Sequence, residues 1–370
     1  MDNNTLAFFE LLRAGLWEKE ARLSQFGNID YAAILQLAEE QSVVGLVTAG
    51  LEHVVDIKVP QELVLQFVGE TLQIEQRNKE MNAFVSRLIE KLRKEDVYAV
   101  LVKGQGIAQC YERPLWRACG DVDLLLSEEN YNKAKNLLIP LAQAIEPEFS
   151  SLKHIGLYMN SGFVVELHGT LHCRLSASVD RMVDEVQKEV FCRGNVRSWW
   201  NGRTQVFLPA ANEDVIFVFT HILHHFFFEG IGLRQICDWC RLIWTYKDSI
   251  NHILLESRLR KAGLLTEWKA FADFVVEYLG MPVEAMPLYS PEGRWKRKTE
   301  KIKNFVMKVG NFGHNQRRDY SGQSYLLRKI KSSFGRLSDM LRHFRLFPKD
   351  SIVFFGGVLR SGLHAAVRRE

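Results

Sequence analysis

Gly120-Asp121-Val122-Asp123, running into Leu124-Leu125-Leu126, holds two carboxylates at a spacing that invites chemistry. Side chains alternate along a strand, so Asp121 and Asp123 project from the same face. Their Cα atoms would stand about 6–7 Å apart by strand rise, and two negative charges at that range repel unless a cation sits between them. Mg²⁺ suits such a pair. It accepts one or two protein carboxylates and keeps its other positions for water and substrate phosphate. A solvated strand end is the plainer alternative, since Asp-x-Asp alone is common.

The flanking residues extend the motif toward phosphate binding. Residues 97–102 read as a buried strand that stops at Lys103-Gly104-Gln105-Gly106, and residues 107–111 have helical spacing. In a strand–glycine turn–helix the backbone can approach a phosphate, the new helix directs its free N–H groups outward, and Lys103 adds a charge. A tight turn without a ligand has the same pattern. Downstream, residues 163–168 read as another strand, with a partner over 154–159 and a turn at Asn160-Ser161-Gly162. Glu166 interrupts that apolar run and needs a partner, which a metal shared with Asp121 and Asp123 would supply. His168 faces the same way as Glu166. It is placed to contact phosphate, to orient a carboxylate, or to be an ordinary hydrogen-bonded histidine.

Four segments, Leu101-Val102-Lys103-Gly104, Tyr111-Glu112-Arg113-Pro114-Leu115-Trp116-Arg117, Gly120-Asp121-Val122-Asp123-Leu124-Leu125 and Val165-Glu166-Leu167-His168, together resemble a known group. It is the uncharacterised bacterial nucleotidyltransferase-like family, grouped with the DNA polymerase β-type nucleotidyltransferase superfamily. His221, His224, His225, Leu233-Arg234 and Asp238-Trp239 are similar to that family's helical part, so the likeness runs over roughly residues 95–245. The resemblance implies a three-carboxylate site with two Mg²⁺ ions. In it Asp121 and Asp123 hold the metals, and Glu166 is the third ligand or the base that activates the acceptor.

The implied donor is a nucleoside triphosphate, ATP by default of its abundance, attacked at the α-phosphate. One metal lowers the pKa of the attacking hydroxyl, and the other neutralises the triphosphate and the leaving pyrophosphate. The acceptor stays open between a small molecule, a protein side chain and a nucleic-acid end. The chain departs from the superfamily where a Gly-Ser pair is usual. Lys103-Gly104-Gln105-Gly106 stands there instead, and an extended connection from Glu112 to Arg117 follows. Lys103, Gly104, Arg117 and His168 are the candidate triphosphate contacts, with Arg117 ahead of Arg113 because it lies four residues before Asp121.

These residues need a scaffold, and 370 residues exceed what one core usually organises. With 47% hydrophobic and 25% charged residues, the composition is that of a soluble globular protein. The expected fold is α+β: a small mixed sheet over residues 96–210 between predominantly helical regions at 1–95 and 211–289, with a basic helical region at 290–370. Pro60 opens an amphipathic stretch from Gln61 to about Lys94, with Leu63, Phe67, Leu72, Phe84, Leu88 and Leu92 in its buried stripe. A second helical region opens at Asn212, with Glu213 and Asp214 in its first turn.

His221, His224 and His225 share one face of that helix without the acidic residue of an H-E-x-x-H motif. A polar patch at the active cleft is favoured over zinc, and core histidines are the third reading. The six cysteines are expected as free thiols, with Cys237 and Cys240 buried and structural. The N-terminus lacks a basic stretch followed by an apolar one, and no uncharged run approaches the length of a membrane span. A cytoplasmic protein is therefore expected.

Charge is divided unevenly. Residues 290–370 hold nineteen Lys and Arg against six Asp and Glu, a net of +13, which leaves −9 for residues 1–289 of the +4 total. Leu337, Leu341, Phe344, Leu346 and Phe347 are interleaved with those charges, as in amphipathic helices that dock on an acidic body, on nucleic acid or on an anionic membrane surface. Two alternatives to an active enzyme follow: a catalytically silent nucleotide-binding protein, and a nucleic-acid or membrane adaptor using the basic C-terminal region. A degenerate site would be expected to lose a carboxylate, and this chain keeps all three.

Overall fold

The computed structural model describes residues 1–148 and 153–311, together with 344, 346–348, 351–353 and 356. Among them the motifs lie on a seven-stranded mixed sheet. Its strands are β1 (Ala99–Val102), β2 (Asp121–Leu126), β3 (Ala142–Ile145), β4 (His154–Met159), β5 (Val164–His168), β6 (Val196–Asn201) and β7 (Thr204–Pro209), in the order β3-β4-β5-β2-β1-β7-β6. Strand β2 runs antiparallel to β1 and parallel to β5. Helices α1 (Asn3–Trp17), α2 (Tyr31–Glu40), α3 (Val44–Glu52) and α4 (Gln61–Arg93) precede the sheet. Helices α5 (Gly104–Ala108), α6 (Glu128–Leu138) and α7 (Ala177–Arg193) interleave with it. After it come α8 (Ala211–Phe228), α9 (Leu233–Thr245), α10 (His252–Ala262), α11 (Leu265–Leu279) and α12 (Gly293–Val309). The class is α+β with helical flanks.

Strand alternation divides the sheet between two cores. Val122, Leu124, Leu126, Val165 and Leu167 pack with Met81, Val85, Leu88 and Leu92 of α4 and with Tyr131, Ala134 and Leu138 of α6. Val100, Val102 and Leu125 join a larger core built mainly from the helices before and after the sheet. Asp121, Asp123, Glu166 and His168 alternate with the first set, so they emerge on the second face, toward α8.

Helix α4 occupies the span its pattern predicts, with Pro60 at its N-cap position, Glu62 in the first turn and Lys91 and Arg93 in the last, as the helix dipole favours. Phe67, Phe84, Leu88 and Leu92 are buried, but Leu72 is 55% exposed. The inward place belongs to its neighbour Thr71, whose Oγ1 meets Thr48 Oγ1 at 2.7 Å. Thr71, one turn after Phe67, lies on the face that the buried apolar residues of α4 define, and Leu72 falls outside it.

Asn78 on α4 holds the connection that leads into β2. Its Nδ2 donates to the carbonyls of Leu115 and Arg117, both at 2.7 Å, while its Oδ1 accepts from Gln105 Nε2 at 3.0 Å. The same connection crosses α3 at Gly45, where a Cβ would lie 2.1 Å from the Trp116 carbonyl oxygen. The first part of the basic C-terminal region packs on the body: Trp295, Ile302, Phe305 and Val306 of α12 are buried, as are Leu346 and Phe347. Leu337, Leu341 and most of the remaining basic segment lie outside the described residues. Phe344 is 43% exposed. All six cysteines are free, Cys192 exposed and the others buried. No helix among the described residues is long and apolar enough to cross a membrane.

Candidate active site

Strand β1 ends at Val102, opposite Asp123. Lys103 then takes φ +57° and Gly104 φ +40°. The left-handed region is unusual for a lysine and costs about 1–3 kcal/mol, a strain that tends to collect at functional turns. The turn leaves the Lys103 side chain against β2, where Nζ donates to Asp123 Oδ1 at 2.7 Å. Gly104 sits close behind, since a Cβ there would lie 3.4 Å from the Asp121 carbonyl oxygen.

The register Asp123↔Glu166 places the third carboxylate directly beside the second. His168 Nε2 lies 2.9 Å from Asp123 Oδ1 and 3.3 Å from Glu166 Oε2, so the imidazole bridges the two carboxylates. His154, on β4, reaches Glu166 Oε2 at 3.2 Å from the other side. Asp123 is 2% exposed.

Negative charge dominates this cluster, and Asp121 bears the repulsion. Its pKa is pushed up to about 6, first by the Asp123 carboxylate and then by burial, with Lys103 pulling the other way. Burial would also raise Glu166, but hydrogen bonds from His154 and His168 and the charge of Lys103 carry it well below the usual carboxylate range. Burial acts to discharge Lys103, and the carboxylates of Asp123, Glu166 and Asp121 outweigh it, keeping the ammonium charged. For His168, hydrogen bonds to Asp123 and Glu166 overcome burial and raise its pKa.

Helix α8 forms the opposite wall. Its histidines fall three and four residues apart and face the sheet. His225 Nε2 meets His221 Nε2 at 3.0 Å, His225 Nδ1 lies 2.8 Å from Glu229, and His224 Nδ1 lies 2.8 Å from the Cys173 carbonyl oxygen. Burial holds the pKa of His221 and His225 below the ordinary imidazole value, so both are neutral near pH 7. The two walls enclose a cavity of about 420 Å³ that also exposes Lys103, Gly104, Asp121, Asp123, Glu166 and His168. That volume lies in the usual range for a small-molecule site. The histidine trio lines this cavity together with the carboxylates.

Arg117, expected as a triphosphate contact, is held by a carboxylate. It borders the cavity, but Nε and Nη2 donate to Asp238 Oδ1 and Oδ2 at 3.0 and 2.5 Å, and Nη1 reaches the Ala118 carbonyl and Cys119 Sγ. A buried guanidinium requires a carboxylate, and α9 brings Asp238 within bidentate reach. Arg113 lies apart, paired with Glu18 and Glu52 and stacked over Trp116. Lining residues not expected from the sequence include His154, His172, Arg174 and Glu229. Arg174 has φ +54°, a second strained cationic residue at the cavity. His154 was recoverable from the turn centred on Ser161, which pairs it with His168.

A mixed sheet carries two carboxylates on one strand, a third on the next and a lysine turn beside them, all opening into one cavity of an α+β protein. The chain belongs to the uncharacterised nucleotidyltransferase family, whose model matches residues 27–280, more than half of its length. It is a nucleotidyltransferase. No curated protein and no solved structure matches it.

Proposed function

We propose that this enzyme moves a nucleoside monophosphate from a nucleoside triphosphate to an acceptor hydroxyl, with Asp121 and Asp123 as ligands of two Mg²⁺ ions and Glu166 as third ligand or acceptor base. The observation that carries this reading is the convergence of three carboxylates from β2 and β5 on one face of the sheet, inside the cavity. Their oxygens are the hard donors Mg²⁺ prefers, and the raised pKa of Asp121 marks a surplus of negative charge that Lys103 leaves uncompensated. Mg²⁺ bound there supplies positive charge to the phosphoryl oxygens and acidifies the attacking hydroxyl.

The chain's own residues do the rest. Lys103, kept charged, offers an ammonium to the triphosphate, and Gly104 leaves its backbone open to approach. His168 holds Asp123 and Glu166 in mutual orientation. The neutral imidazoles of α8 face the carboxylates and contribute hydrogen-bonding groups to the acceptor side. ATP is taken as donor for its abundance, and the acceptor class stays open among small molecules, protein side chains and nucleic-acid ends. Residues 96–210 are read as the catalytic core, with 1–95, 211–289 and 290–370 arranged around it. Six free thiols are consistent with a reducing cytoplasm.

The test is incubation with each labelled triphosphate, Mg²⁺ and an extract of the source cell, in parallel with a folded Asp123→Ala variant. Label should pass to an acceptor only with the unaltered protein. Equal transfer by Asp123→Ala would sink the assignment.

A further inference from the structure

The nucleotide reading leaves two histidines beside Glu166 with only supporting roles. In the β4–β5 hairpin His154 pairs with His168, and Glu166 pairs with Gly156. Residues paired in register share a face, so His154, Glu166 and His168 all leave the sheet on the cavity side. Glu166 Oε2 lies 3.2 Å from His154 Nε2 and 3.3 Å from His168 Nε2. The ligand atoms of the three residues all fall within 4.8 Å of one another.

The two nitrogen–oxygen separations match a shared ion. Ligands bonded at about 2.1 Å stand about 3.0 Å apart when adjacent in an octahedron and about 3.4 Å apart in a tetrahedron. Both nitrogen–oxygen distances lie between these values. The three side chains are 20%, 27% and 10% exposed, shielded from bulk water yet open to the cavity.

Donor chemistry then separates this group from its neighbours. Asp121 and Asp123 offer oxygen alone, which suits Mg²⁺. Two imidazoles and a carboxylate suit ions of the Mn²⁺, Co²⁺ and Zn²⁺ series, which accept nitrogen ligands that Mg²⁺ binds poorly. We propose that His154, Glu166 and His168 form a site for a borderline divalent transition ion, set beside the Asp121–Asp123 pair and resting on the nucleotide reading through their shared carboxylate, Glu166, and through His168, whose Nε2 would leave Asp123 Oδ1 for the ion. The enzyme would then combine a hard-metal and a borderline-metal position in one cavity.

Co²⁺ reports such a site optically without nucleotide or turnover. Full-length protein stripped with a chelator should gain one equivalent of visible ligand-field absorption on Co²⁺ titration, and keep it in a large excess of Mg²⁺. The band should persist in Asp121→Asn, while His154→Gln should weaken Co²⁺ binding by about tenfold or more. Displacement of Co²⁺ by equimolar Mg²⁺ would overturn the proposal, and that measurement needs no variant to fold. A band lost in Asp121→Asn but kept in His154→Gln would also overturn it. Absent Co²⁺ binding with triphosphate turnover intact would remove this site and leave the nucleotide reading standing. Co²⁺ binding with no turnover on any triphosphate would do the reverse.

Discussion

Asp121 is the residue at which charge, stability and function meet. Its folded pKa of about 6 exceeds the ordinary carboxylate value of 3.8, so between those values the folded state binds more protons than the unfolded one. Stability contributed by Asp121 is therefore present in acid and lost as pH rises from about 4 to about 6. His168, raised by its carboxylate partners, adds stability that is full below its ordinary pKa of 6.5 and fades as pH climbs through its higher folded value. Glu166 acts oppositely: its depressed pKa contributes stability above 4.5 that is lost only in stronger acid. In chelator, then, Asp121 and His168 should pull the thermal midpoint down from about pH 5 to pH 8, against His221 and His225, whose depressed values add stability as pH rises. Asp121→Asn should flatten part of that fall and raise stability at pH 7 by on the order of 1 kcal/mol while abolishing transfer. An Asp121→Asn midpoint no higher than that of the unaltered protein at pH 7 would contradict the charge balance. Lys103→Ala tests the phosphate side: losing one charge-assisted contact should weaken triphosphate binding by about 1.5–3 kcal/mol, and monophosphate by less. Isothermal titration decides it, and equal affinity for both would move the triphosphate toward Arg174.

Among the elements, close helix crossings tie the N-terminal helices to the connection that aims β2. Helices α1 and α3 touch through glycines: a Cβ on Gly15 would lie 1.8 Å from the Leu46 carbonyl oxygen, and one on Gly50 would lie 2.0 Å from that of Leu11. Both obstacles are backbone, so neither can rotate away. Gly15→Ala should force the helices apart and destabilise the protein by about 1–3 kcal/mol, read as a shift in the denaturation midpoint. Because α3 also abuts Trp116, the change should reach the start of β2 and lower transfer as well as stability. A Gly15→Ala protein with an unchanged midpoint would mean that the two helices are not in this contact.

Across the whole molecule, the sheet is held between α4 and α6 on one face and a helical body on the other, and the cavity opens at the second boundary. That body includes α12, the first segment of the chain's basic region. Its Trp295, Ile302, Phe305 and Val306 are buried, and Phe305 lies 4.8 Å from the Phe226 ring of α8. Ending the chain at Ser290 should therefore expose apolar surface beneath α8, lowering both the thermal midpoint and solubility. A truncated protein as stable and soluble as the full chain would show that α12 contributes nothing to the body.

Much of this was readable from spacing. The strand alternation of Asp121 and Asp123, the hairpin turning at residues 160–162 and the limits of α4 all follow from backbone periods of 2 and 3.6 residues, which neighbouring residues reveal on their own. Partners of buried charges were not readable in this way. Arg117 answers Asp238 across 121 positions, Thr71 meets Thr48 across 23, and the α8 imidazoles share a cavity with Asp121 and Asp123, about a hundred residues earlier in the chain. A desolvated charge or hydroxyl must take whichever partner packing brings within about 3 Å, and packing joins elements whose separation along the chain carries no periodic signal. Composition and spacing therefore specify which groups can do the chemistry, whereas the crossing of helices over the sheet decides which of them meet.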